Sequence, residues 1–123
     1  MYVKAMIAVI LITTSSVSCS QSTSELVYDT REMLQCEDAT NITPTQSAKI
    51  LSDVGINVIA TSCGAKTGMV VIAMCGAPSL SIIVHEIQAE NLQDAEMLGF
   101  AKIDTLIDST QGIGYELSEC EGA

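Results

Sequence analysis

The chain has 123 residues, 48% of them hydrophobic, and its fifteen acidic against five basic residues give a net charge of −10 at pH 7. That length allows one domain, and three Tyr, one Phe and no Trp leave a core that must be aliphatic with some Met. The charge tells against binding to nucleic acid or to anionic membrane surfaces, and it fits solubility or a basic partner.

Residues 1–18 read as an export signal, with Lys4 as the charged start, AMIAVILI as the apolar core and TTSSVS as the polar end. The apolar core is too short to span a bilayer, which needs about 20 such residues. Residues 19–24 read as a polar linker and 25–123 as a single domain. Processing has two readings: cleavage after Ser18 or Cys19, or retention of Cys19 as a lipid-bearing first residue. Ser16-Val17-Ser18-Cys19 resembles the lipobox of bacterial lipoproteins in its small residue before Cys, although Ser16 stands where Leu is usual. The SQSTS that follows is similar to a lipoprotein tether. The resemblance implies lipidation at Cys19 and residence in the periplasm or cell envelope. Five cysteines is an odd number, and lipidation of Cys19 leaves four that can pair.

Ser22-Thr23-Ser24-Glu25 has capping-box spacing, and Leu26, Thr30, Met33 and Leu34 follow at helical intervals, predicting a first helix that ends near Cys36. Thr43-Pro44-Thr45-Gln46 opens a second, with Thr at the N-cap, Pro at the first helical position and Gln three residues on. Ala48, Ile50, Leu51 and Val54 supply its apolar stripe, and Gly55 caps it.

Gly55 to Ile87 reads as a three-stranded meander, GINVIATSCG, GMVVIAMCG and LSIIVHEI, broken at AKT and APS. A two-residue turn at Lys66-Thr67 pairs Cys63 with Val70 and Val58 with Cys75; a connection over Gly76 to Ser79 then pairs Val70 with His85. One face of this meander, with Ile56, Val58, Val71, Ile82 and Val84, is uncharged and is the expected core face. The other places Ile59, Val70, Ile72, Met74 and Ile83 around Cys63 and His85. It is more apolar than a solvated face requires, so it is the candidate partner surface, unless the C-terminal segment covers it.

Asn91-Leu92-Gln93-Asp94 opens a third helix, with Gly99 as a left-handed cap and Phe100 folding back as its hydrophobic contact. Phe100 to Ile107 suits either a strand or a helical turn, and Gly112 to Cys120 a last edge strand. The expected fold class is α+β: a small two-layer domain of order α-α-β-β-β-α-β, with helices on one face of an antiparallel meander.

In an oxidising compartment Cys36, Cys63, Cys75 and Cys120 are disulfide candidates. On the register above, Cys63 lies five residues along its strand from the partner of Cys75, roughly 16 Å. A disulfide needs Cα atoms within about 7 Å. Cys36–Cys75 with Cys63–Cys120 is therefore the first arrangement, and Cys36–Cys63 with Cys75–Cys120 the second. Cys63, Met69, Met74, Cys75 and His85 are ligand types for Cu(I), but they fall on different faces and strands. His85 has no catalytic partner on this register: Glu86 points to the other face, and Cys63 lies across the middle strand. No catalytic, cofactor or metal residue is expected. The expected function is that of an exported, non-enzymatic domain that binds an unknown protein or itself, touching membrane only through Cys19. The alternative is a periplasmic copper-handling protein.

Overall fold

A computed structural model describes residues 23–121, with the elements β1 (Ser24–Asp29), α1 (Pro44–Ser52), β2 (Val58–Thr67), β3 (Ser81–Gln88), α2 (Leu92–Met97), β4 (Phe100–Lys102) and β5 (Gly114–Ser118). Short 3-10 turns at Ala89–Asn91 and Ile103–Leu106 precede α2 and follow β4. The proposed export signal and Cys19 lie outside the described residues.

The strands form one antiparallel sheet in the order β4-β1-β3-β2-β5. Its central strand, β3, is buried on both faces, which is why SIIVHEIQ lacks a clean polar alternation. On one face Ile87 packs with Val27, Leu51 of α1, Ile56, Ala95 of α2 and Phe100. On the other, Ile82 and Val84 pack with Ile103 and the half-buried Leu26, Tyr28, Leu106 and Tyr115. Both helices therefore lie on one face of the sheet, and the 3-10 turn after β4 covers part of the other. The fold is mixed α+β, but its element order departs from the expected one: two expected elements are corrected, and β4 is a further strand between α2 and β5.

The first correction is at the N-terminal side. Ser24–Asp29 is a strand and not the start of a helix: it pairs with both β3 and β4, so a ladder on each side overrides the weak helical spacing of Leu26, Met33 and Leu34. The second is the expected middle strand. Both flanks of β2 are occupied, by β3 and β5, so GMVVIAMCG has no ladder to join. At Gly68 the backbone takes φ +74°, and an added Cβ would run into the Gly112 carbonyl. The run leaves the sheet there and returns at β3.

The remaining elements follow their local signals. Thr43 accepts from the Gln46 N–H and the Gln46 side chain accepts from the Thr43 N–H, a full capping box. Phe100 to Ile107 divides into β4 and the 3-10 turn, Gly99 takes a left-handed φ of +97°, and β5 is an edge strand.

Candidate functional site

Four elements aim polar side chains at one buried point. The sheet register sets Thr61 of β2 directly opposite His85 of β3, while β1 carries Asp29 past the other side of β3. Ser47, one turn before the buried Leu51, comes down from α1 between them. Ser47 and His85 are fully buried and Asp29 nearly so, at 0%, 0% and 5% exposure. Charged or polar groups this deep stay only when they are hydrogen-bonded. Among the described residues, no buried side-chain nitrogen or oxygen lacks a partner.

The bonding fixes where each proton lies. Asp29 accepts at Oδ1 from the Arg31 guanidinium (2.6 Å) and the Arg31 backbone N–H (3.0 Å), and at Oδ2 from the Ser47 hydroxyl (2.7 Å). Ser47 has one proton and gives it to Asp29, so its 2.8 Å contact with His85 Nε2 must be one in which Nε2–H donates. His85 is therefore protonated on Nε2 when neutral. Its Nδ1 is left as an acceptor and takes the Thr61 hydroxyl at 2.9 Å. The chain Thr61–His85–Ser47–Asp29 thus runs donor to acceptor in one direction and ends at a carboxylate balanced by Arg31. Burial lowers the His85 pKa from its ordinary 6.5, and the Asp29 carboxylate opposes part of that shift. Phe100 closes the site, edge-on to the His85 ring at 5.7 Å and beneath the Arg31 guanidinium at 5.4 Å.

These are the residue types of a hydrolytic triad in a different order. Ser47 lies between the carboxylate and the histidine, is inaccessible, and has spent its proton on Asp29, so it is no nucleophile. The end of the chain that meets solvent is Thr61. Asp29, Ser47 and Thr61 were not legible as a group, because His85 was set against the absent middle strand. In the structure GINVIATSCG pairs directly with LSIIVHEI, and that register sets Thr61 opposite His85.

The cysteines join as Cys36–Cys75 and Cys63–Cys120, with Cα separations of 5.0 and 4.8 Å. The expected hairpin that favoured this arrangement does not form. Cys75 instead lies at the end of the extruded run, beside the turn that holds Cys36.

The expected partner surface divides. Ile83 and His85 are buried, at 1% and 0% exposure, and belong to the core, with Ser47 of α1 against the His85 ring. Ile59 sits at an irregularity between Val58 and Ala60 that turns Val58 inward and leaves Ile59 half-exposed. Val70, Ile72 and Met74 remain together on the loop from Gly68 to Gly76 and are 98%, 73% and 59% exposed. This loop is held in place. Gln35 Nε2 donates to the carbonyls of Ile72 (2.7 Å) and Pro78 (3.0 Å), and its Oε1 accepts from the Met74 N–H (3.1 Å). The Gly76 N–H donates to the Gln35 carbonyl, and the neighbouring disulfide closes the clamp. Cys36 adopts a left-handed φ of +65° in that turn, an unusual conformation for a side chain of this type.

The soft-metal set is taken up elsewhere: Cys63 and Cys75 are in separate disulfides, and both nitrogens of His85 are hydrogen-bonded. Among the described residues no cluster of three or more His, Cys, Asp or Glu is placed to hold a metal ion.

The fold and the site define a small α+β domain with two disulfides, a buried polar chain and a clamped apolar loop. No protein-family model, curated protein or solved structure matches it.

Proposed function

We propose that this is an exported domain, tethered through lipid at Cys19, that binds a protein partner through the loop Gly68 to Gly76. The observation that supports the reading is the combination of exposure and restraint at Val70, Ile72 and Met74. Apolar side chains this exposed are an interaction surface more often than an accident when they are contiguous. A loop already held by Gln35 and by Cys36–Cys75 loses little further freedom on binding, which favours affinity.

The partner that fits presents an apolar cleft with a basic rim. No charged residue lies between Gly68 and Ser81, whereas Glu32, Glu37 and Asp38 flank the clamping turn on an acidic chain. A second copy would meet like charge around the same patch, which disfavours self-association at low salt.

A photo-crosslinking residue at position 70, used in the native host, tests the reading. A defined adduct with a basic protein is expected, weakened by salt and abolished by Ile72→Lys in a chain that remains folded. Loss of the adduct in Ile72→Lys is the informative result, because that side chain is 73% exposed. An adduct indifferent to Ile72→Lys, or a dimer of the chain itself, would overturn it. The intact mass of the same sample reads whether Cys19 carries a diacylglyceryl group and the first eighteen residues are gone.

A further inference from the structure

We propose that Thr61 is an acyl-acceptor hydroxyl, with His85 as its general base, for a small, short-chain activated ester. The inference stands apart from the loop and does not depend on its partner.

Three observations carry it. The Thr61 hydroxyl is at the solvent end of the buried chain, and its oxygen lies 2.9 Å from His85 Nδ1. That nitrogen is the unprotonated one, because Ser47 has committed its proton to Asp29 and so holds the imidazole proton on Nε2. A base must be within hydrogen-bond reach of the proton it takes, and here geometry and tautomer agree. Third, Thr61 opens onto a cavity of about 250 Å³ lined by Pro44, Thr45, Ala48 and Cys120. Its walls are mostly apolar and leave room for a short acyl chain.

The cavity also borders the first turn of α1, where backbone N–H groups have no intrahelical acceptor. Pro44 has no N–H, the Gln46 N–H goes to the Thr43 side chain and the Ser47 N–H to the Thr43 carbonyl. The Thr45 N–H is the donor left over for an ester carbonyl oxygen. In the reaction the Thr61 oxygen attacks the carbonyl carbon while its proton passes to His85 Nδ1. The imidazolium is stabilised by Asp29 through Ser47, which orient the ring and touch no substrate. The bond to the leaving alkoxide then breaks, and His85 returns the proton to it. The products are an acyl ester on Thr61 and a free alcohol, with no change in oxidation state.

The test uses the disulfide-intact chain and 4-nitrophenyl acetate, with the acetylated residue located by peptide mapping. One acetyl group on Thr61 is expected, formed roughly a hundredfold faster than in the urea-unfolded chain, as a positioned base supplies. Thr61→Val removes that label; Thr61→Ser keeps it at position 61, which decides the matter even if Val disturbs the packing around His85. The rate at Thr61 should fall in acid along the His85 ring titration followed by NMR. Among the described residues only Asp29 from β1, with Arg31 behind it, brings charge to that ring; α1, β2 and β4 present Ser47, Thr61 and Phe100. Acetylation confined to Lys49, Lys66, Lys102 and the N-terminus, or a Thr61 label that forms equally fast in urea, would overturn the assignment.

Discussion

Removing the Ser47 hydroxyl would orphan two buried groups at once, the Nε2–H of His85 and one oxygen of Asp29. Each buried group left without a partner costs about 1–3 kcal/mol, whereas the net worth of an ordinary hydrogen bond is nearer 1. Ser47→Ala should therefore lower unfolding stability by about 2–4 kcal/mol, read from urea denaturation, with Arg31 still satisfying the other Asp29 oxygen. A loss below about 0.5 kcal/mol would mean that the chain is not what holds α1 on the sheet. Acid reaches the same place through His85, the only histidine in the chain. Burial holds its folded pKa below the ordinary 6.5, so as pH falls the unfolded chain takes up this proton first. Across that window the unfolded state binds more protons, and stability declines with falling pH. It should be level above about pH 7, fall from about pH 6.5 downward, and flatten once the folded ring also protonates. Exposed carboxylates such as Asp108, held below the usual range by the Thr110 hydroxyl, act at lower pH still. Unfolding curves at pH 7.5, 6.5 and 5.5 should show the decline in the native chain and not in His85→Gln. Equal slopes in both would assign it to other groups.

Among the elements, those with a strong local signal were legible and those decided by distant partners were not. The capping box at Thr43 and Gln46 and the left-handed Gly99 each act within one turn, and α1 begins and α2 ends where those residues place them. β1 and the run Met69 to Met74 show the opposite case. SELVYD suits a helix about as well as a strand, and what makes it a strand is pairing with β3 and β4, which lie more than fifty residues away in sequence. VVIAM has the composition of a buried strand, yet both edges of β2 are taken, by β3 and β5. The same exclusion explains why the polar chain was hidden. With VVIAM outside the sheet, β2 and β3 become neighbours, and only then do Thr61 and His85 face each other. The excess of apolar residues on one face of the expected meander pointed to a partner surface, but only Val70, Ile72 and Met74 of that set lie together on the exposed loop, and they do so outside the sheet.

At the scale of the whole molecule, a sheet of about thirty residues with a small aliphatic core must hold together a chain of strong net negative charge. The two disulfides make different contributions to that balance. They close loops of 39 and 57 residues, and the chain-entropy model assigns each about 4 kcal/mol through restriction of the unfolded state. On that count they are nearly equal. Their places in the native fold are not, because Cys63–Cys120 ties β2 to the chain beyond the edge strand β5, whereas Cys36–Cys75 fastens a loop outside the sheet to the turn after β1. The Gln35 hydrogen bonds and the Leu34–Pro78 bridge still hold that loop when its disulfide is cut. Cys36→Ser with Cys75→Ser should accordingly keep the sheet, lose up to about 4 kcal/mol through the unfolded state, and speed amide exchange from Gly68 to Gly76. Cys63→Ser with Cys120→Ser should lose a similar amount and also loosen β5, read as faster exchange from Gly114 to Ser118. Hydrogen exchange on the two double variants separates these outcomes. If opening Cys36–Cys75 accelerated exchange throughout β3, the loop would be part of the core's support and not a surface carried on it.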